Sequence, residues 1–251
     1  MIKISVLGTG SWGSAIGDLL NQNGHEVIMW QRDAEKVKAM EVDRKHPFFV
    51  DLTFSDEVKF TTDLDSAIKG SQLLIVAVPS HSVRELVSRA VEFIEDNVII
   101  VNITKGLELD TLLTMSSVIS EETVGKNVSI VSLYGPSHAE EVVRKIPTTL
   151  VAASTEENAS KKVQYIFSSR VLRVYTNTDI LGLELGGSIK NVIAIAAGIC
   201  DGIGFGDNTK AAILTRGIAE MTRLGVALGA QEKTFAGLSG IGDLFVTCSS
   251  K

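Results

Sequence analysis

Along the first 175 residues, short apolar runs alternate with longer stretches in which apolar positions recur every three or four residues. Runs at 3–7, 26–30, 73–78, 98–103, 129–133, 149–153 and 171–175 have strand length and are rich in Val, Ile and Leu. Several are apolar almost throughout, which is the pattern of strands covered on both faces. Strands alternating with helical stretches predict an open, doubly wound α/β domain with a mostly parallel sheet. After Thr178 the pattern changes. The segment 179–251 holds no convincing strand run and is rich in Ala, Gly, Leu and Ile. It predicts helices, one capped by Asp179 and running through Ala196, another over about 210–228. "YTNTD" carries turn and cap residues, so the expected division is 1–178 for an α/β domain and 179–251 for an all-helical one.

Composition narrows the classes. The 251 residues are 45% hydrophobic and 22% charged, enough to bury a sizeable core. A formal charge of −6 argues against a nucleic-acid surface, which needs clustered Lys and Arg. Two or three local cations still suffice for a small phosphorylated ligand. Cys200 and Cys248 are too few for a disulfide scaffold and read as reduced core residues. The first strand begins at the N-terminus without a leader-like stretch, and no unbroken apolar run approaches ~20 residues. These features predict a cytoplasmic protein with no integral membrane segment. The apolar helical half leaves a homodimer open.

The glycine spacing after the first strand carries chemistry. Gly8, Gly10 and Gly13 fit GxGxxG between a strand and a helical stretch whose apolar face is Trp12, Ile16, Leu19 and Leu20. The first glycine permits the tight turn, the second admits a pyrophosphate against backbone, and the third lets helix and strand pack closely. A strand-to-helix turn without a ligand is the bland alternative. At the end of the second strand, an NAD-specific site usually places an acid for the ribose 2′-OH, whereas an arginine accommodates a 2′-phosphate. Here the residues are Gln31, Arg32 and Asp33. Arg32 is therefore expected to take the 2′-phosphate of NADP, with Asp33 leaving NAD admissible; the plainer alternative is a solvated surface arginine.

In open α/β sheets, ligands sit beyond the carboxyl ends of the strands. Three polar turns are expected there: Pro79-Ser80-His81, Thr104-Lys105-Gly106 and Gly135-Pro136-Ser137. Turn chemistry alone explains most of these residues, but a turn has no need of Lys105. In the helical half, Lys190 and Asn191 sit in a helix otherwise made of small and apolar residues. A buried lysine is costly there, and burial lowers its pKa towards that of a usable base. Gly186 and Gly187, one turn earlier, are expected to let another surface approach. Asp243 follows three closely spaced glycines, as if aimed from a tight loop. The competing reading has Lys190 snorkelling to water and Asp243 capping a helix.

The segments "GTGSWGSAI", "AVPSHSVRE", "TKGLE", "GPSHAEEV", "ELGGSIKNVIAIAAG" and "FAGLSGIGDLFVTC" occur in this order. With them the chain is similar to the NAD(P)-dependent sn-glycerol-3-phosphate dehydrogenases of bacterial type. That resemblance implies a Rossmann domain followed by a helical substrate domain. It also implies interconversion of dihydroxyacetone phosphate and sn-glycerol 3-phosphate, the backbone of glycerophospholipids. It implies cofactor contacts at Ser11, Trp12, Arg32, Lys105 and Ala139, beside the glycines. It implies a substrate site at Lys105, Gly135, Ser137, Lys190, Asn191 and Asp243, with Lys190 as proton acceptor. Asp243 is expected to orient that lysine, and no metal is expected, since His25, His46, His81 and His138 show no ligand spacing and the acids form no metal loop. His138 stands where many relatives have phenylalanine. Members of the family continue past the "VTC" segment into a Ser-Arg-Asn stretch and further helices, so the helical part here is expected to be short of the family's. Two alternatives stand beside this reading: a β-hydroxy-acid or sugar-acid dehydrogenase of the same plan, and a dinucleotide-binding protein without turnover.

Overall fold

The computed structural model describes residues 1–47, 49 and 51–249. Eight strands form one sheet: β1 (Lys3–Leu7), β2 (Glu26–Trp30), β3 (Lys59–Thr61), β4 (Leu73–Val76), β5 (Ile99–Asn102), β6 (Ser129–Tyr134), β7 (Thr148–Ala153) and β8 (Leu172–Asn177). Their order is β3-β2-β1-β4-β5-β6-β7-β8, and every neighbouring pair is parallel except β6 and β7. The chain order reverses at β1, which lies between β2 and β4. That switch point leaves a crevice at the carboxyl ends of β1 and β4, where ligands bind in folds of this kind.

The helices are α1 (Ser11–Gln22), α2 (Ala34–Asp43), α3 (Leu64–Ile68), α4 (Val83–Ala90), α5 (Met115–Glu122), α6 (Ala139–Val143), α7 (Glu157–Phe167), α8 (Ile180–Gly202), α9 (Asp207–Ala227), α10 (Glu232–Phe235) and α11 (Asp243–Ser249). Strand alternation splits the sheet core in two. Ile4, Val6, Val27, Met29 and Ile75 face the side packed by α1 and α7. Leu7, Ile28, Trp30, Leu74 and Val76 face α3, α4 and α5. Both faces are closed, which accounts for the nearly continuous apolar strand sequences.

α8 joins the sheet to the helical segment. Asp179 caps it, its Oδ1 accepting from Gly182 N at 2.9 Å, while its Oδ2 accepts from Gln231 N at 2.9 Å and Thr234 Oγ1 at 2.6 Å. One carboxylate thus starts α8 and pins the loop that leads to α10. Leu183 packs with Tyr134, Val151 and Ala153 of β6 and β7, and Leu185 packs with Met221, Phe235 and Leu244 in the helical core. Among the described helices, α8 is the one long and apolar enough to cross a membrane by length and composition. Counting unbroken apolar runs misses it, because Glu184 and Lys190 interrupt the run. Both are buried against other elements of the fold, so the amino-terminal half of α8 is a core helix, while Val192, Ile195 and Ile199 in its second half are exposed.

Candidate active site

The glycine turn joins the carboxyl end of β1 to α1 and lines the crevice. Gly8 has φ +119°, and a Cβ there would stand 2.4 Å from the Ala77 carbonyl oxygen, so this turn needs glycine for both conformation and space. A Cβ on Gly13 would stand 2.3 Å from the Gly8 carbonyl oxygen, whereas Gly10 opens onto free space. The spacing therefore does what the sequence pattern requires of it. Gly10 gives α1 no side-chain cap, and the first turn of α1 contains no acid. Its N–H groups and positive helix end are left to an anion. These residues fit a dinucleotide pyrophosphate.

Two clefts leave this turn. One, about 260 Å³, runs beside Gly10 and Gln31 to Arg32, Lys36 and Arg89. Asp33 caps α2, accepting from Glu35 N at 3.1 Å and Lys36 N at 3.3 Å, and lies 3.8 Å from Lys36 Nζ. Its carboxylate is engaged with α2 rather than held open for a ribose hydroxyl. Gln31 is engaged as well, donating to Thr9 Oγ1 at 2.8 Å. The second cleft runs past Ser11, Trp12 and Ser80 to Thr104 and Lys105. The glycine turn thus has an arginine at one end of its groove and a lysine at the other.

At that second end the sheet meets α8 and α11. Asp243 is the first residue of α11, where a negative charge is favoured by the helix end, and it is 1% exposed. Its Oδ1 lies 2.6 Å from Lys190 Nζ and its Oδ2 2.8 Å from Lys105 Nζ. Lys190, 5% exposed, also donates to Thr247 Oγ1 at 2.7 Å, and Lys105 donates to the Gly135 carbonyl at 3.2 Å. One carboxylate therefore holds two ammonium groups, one buried and one facing the cleft. Burial lowers the Lys190 pKa from 10.5 to about 8, the Lys105 charge pushes the same way, and Asp243 opposes both. About a tenth of Lys190 is then neutral at pH 7. That makes it a base in the working range.

Close approach of the elements depends on α8. A Cβ on Gly186 would stand 2.7 Å from the Ser239 carbonyl oxygen, and one on Gly187 would stand 2.7 Å from the Tyr134 ring. With both absent, α8 wedges between β6 and the turn Leu238–Gly242, which brings Lys190 onto Asp243. Lys190 therefore does not snorkel, and Asp243 turns its side chain to the lysines.

Of the other expected residues, Gly135 has φ +149° and presents its carbonyl to both Lys105 and Ser137 Oγ, the latter at 3.0 Å. Ser11 and Arg32 are exposed on the clefts, while Ala139 is 8% exposed and packs in the sheet core. Asn191 is exposed and makes no hydrogen bond to the lysine cluster. Thr247 was not among the sequence candidates. Its signal was its place four residues after Asp243, one helical turn along α11. Asn102, Tyr134 and Glu184 also escaped notice, lying inside apolar runs that read as core.

The profile of the NAD-dependent glycerol-3-phosphate dehydrogenase N-terminus matches residues 3–160, and that of the C-terminus matches residues 179–251. The chain belongs to this dehydrogenase family. A relative from Thermoanaerobacter sp. (strain X514), named glycerol-3-phosphate dehydrogenase, NAD(P)+, is 51% identical over 249 residues, covering 99% of this chain and 74% of that protein. A Fusobacterium nucleatum relative with the same name is 46% identical over 251 residues, covering 100% of this chain and 75% of its own. The crystal structure of glycerol-3-phosphate dehydrogenase from Coxiella burnetii superposes with TM-score 0.92 at 34% identity, over 100% of this chain and 76% of that one. Family membership favours the glycerol-phosphate reading over the hydroxy-acid alternative.

Proposed function

We propose that this chain interconverts dihydroxyacetone phosphate and sn-glycerol 3-phosphate with NAD(P)(H), residues 1–178 seating the cofactor and 179–251 contributing the base. The observation that carries this reading is Lys190, a buried amine bonded to Asp243 Oδ1 at 2.6 Å, with Asp243 Oδ2 holding Lys105, the lysine that lines the cleft opening on the glycine turn. Gly8, Gly10 and Gly13, with the α1 N–H groups, hold the pyrophosphate, Ser11 and Trp12 line the path beyond it, Arg32 takes the adenosine phosphate, and Ala139, buried in the sheet core, bears on the cofactor at most through the start of α6. When bound, the cofactor supplies or receives the hydride. In oxidation, neutral Lys190 accepts the proton of the C2 hydroxyl, and in reduction its ammonium returns that proton to the carbonyl oxygen. Asp243 aims Lys190 and keeps Lys105 beside it. Lys105 offers its charge to the substrate phosphate or to the developing oxyanion, while Gly135, Ser137 and Asn191 shape the mouth. We read the activity as cytoplasmic, a reading supported by Cys200 and Cys248, both buried and free of a disulfide, as suits a reducing compartment.

The test is loss of NADPH absorbance on adding dihydroxyacetone phosphate to the purified chain. Turnover with this ketone, and none with β-keto acids, supports the assignment. Cofactor binding without turnover of any carbonyl would reduce the chain to a dinucleotide binder.

A further inference from the structure

Glu184 is 0% exposed, lies in α8 and has no cation bonded to it among the described residues. Burying a carboxyl group in this way is costly unless its oxygens are fully hydrogen-bonded. They are. Oε1 accepts from Asn102 Nδ2 at 2.8 Å, Ser132 Oγ at 2.7 Å and Ser116 N at 3.0 Å, and Oε2 accepts from Ser116 Oγ. The donors come from β5, β6 and the first turn of α5. Thr114, at the start of α5, provides no side-chain cap, so Glu184 fills that role from another part of the chain.

The bond to Asn102 has a consequence at the active site. An acceptor at Oε1, together with the Tyr134 hydroxyl at 2.9 Å, fixes which end of the Asn102 amide carries its NH₂. Asn102 Oδ1 must then face the turn after β5, and it accepts from Thr104 N at 3.0 Å. Tyr134 donates its hydroxyl to the Thr104 carbonyl. Gly106 N donates to Ser188 Oγ at 3.1 Å, and Ser188 bonds back to the Glu184 carbonyl at 2.8 Å. The residue between Thr104 and Gly106 is Lys105. Both peptide groups that flank it are held by partners that Glu184 orients or that lie one helical turn from it.

We propose that Glu184 is a positioning residue: through Asn102 and the α8 backbone it sets the turn that aims Lys105 at Asp243 and the cleft. The proposal rests on the reading of Lys105 as a substrate-facing group. It assigns the buried carboxyl a task distinct from proton transfer.

The test compares Glu184→Met, which removes both acceptor oxygens at similar length, with Glu184→Gln, which keeps an oxygen where Oε1 stands. In Glu184→Met, hydrogen exchange at the Thr104 amide is expected to speed up by about tenfold or more while the β1 amides keep their wild-type rates. The kcat for dihydroxyacetone phosphate should fall by about tenfold with cofactor Kd within about twofold. Glu184→Gln should stay within about threefold of wild type in both readouts. If Glu184→Met does not fold, Asn102→Ala, which leaves Glu184 bonded to Ser116 and Ser132, is expected to show the same fast Thr104 exchange and reduced kcat. Wild-type Thr104 exchange in folded Glu184→Met or Asn102→Ala overturns the proposal, as does a Glu184→Gln enzyme as impaired as Glu184→Met. Failure of both Glu184→Met and Asn102→Ala to fold also overturns it, since the network would then serve the fold itself. A wild-type chain that turns over no triose phosphate sinks the functional reading instead, while the exchange result still reports on the turn.

Discussion

The two ends of the cleft solve different problems with different materials. At the end we assign to the adenosine, the groups on offer are backbone and solvated charge: a glycine turn, a helix N-terminus without acids, and exposed side-chain cations at Arg32 and Lys36. At the lysine end, everything turns on side chains withdrawn from water, with Lys190 at 5% and Asp243 at 1% exposure. Backbone N–H groups and solvated cations bind an anion without changing their own ionisation. A proton acceptor must change it, and burial beside Lys105 is what brings Lys190 down to about 8. Binding can therefore be assembled from a loop of small residues, whereas the chemistry needs two structural layers pressed together.

If that contrast is right, substitutions at the two ends should separate turnover from binding. Lys190→Ala should lower kcat by about 10²–10⁴ with cofactor Kd unchanged, measured by steady-state kinetics and fluorescence titration of NADPH. Asp243→Asn should cost about 10²-fold in kcat, since it leaves two ammonium groups facing a neutral amide. Gly187→Ala forces a methyl towards the Tyr134 ring and should lower stability by about 1–3 kcal/mol in urea unfolding, with a fall in kcat as α8 shifts. Arg32→Ala, at the other end, should leave kcat alone and reduce the preference for NADP over NAD by about tenfold. A fall in kcat at Arg32, or a change in cofactor preference at Lys190, would erase the distinction.

The smallest effect lies outside the cleft. Burial raises the Asp18 pKa from 3.8 to about 6, with Gln22 and Lys145 only partly offsetting it. A carboxyl whose folded pKa lies above its unfolded one destabilises the fold progressively as pH rises from about 4 through 6. Asp18→Asn should therefore raise stability by about 1 kcal/mol at pH 7.5, discounted for partial solvation, and by nothing near pH 3.

Much of this was legible in the sequence. The strands at 3–7 and 26–30 match the observed β1 and β2 residue for residue, because their apolar runs are bounded by a glycine turn and by polar positions. The Asp179 cap and the long helix after it were equally plain. β3 was not. It has three residues, lies at the sheet edge and buries only Phe60 fully, so it leaves almost no periodic trace. Nor did the pattern reveal that β7 runs antiparallel to β6, since direction depends on how the chain returns rather than on strand composition. Within the site, Lys190 stood out because charge among small and apolar residues is expensive, Lys105 because a turn has no need of a lysine, and Asp243 because it follows three closely spaced glycines. Their convergence on one carboxylate spans 138 residues between Lys105 and Asp243, a distance no spacing rule covers. Glu184 shows the opposite failure. Its partners are neutral and scattered over β5, α5 and β6, so nothing near it in the chain marks it as more than a polar interruption of a helix.

The central claim is that Lys190 is a base tuned by its burial and its neighbours, and the direct test is its own titration. The charged groups acting on it among the described residues are Lys105 and Asp243. In the chain labelled with ¹³C-lysine, one Cε resonance, assigned by its absence from Lys190→Ala, should titrate with a midpoint near 8. The rate of glycerol 3-phosphate oxidation should rise with pH through the same midpoint, and ketone reduction should fall through it, because oxidation uses the neutral amine and reduction the ammonium. A Lys190 midpoint at 10.5, the ordinary value for lysine, would contradict the account.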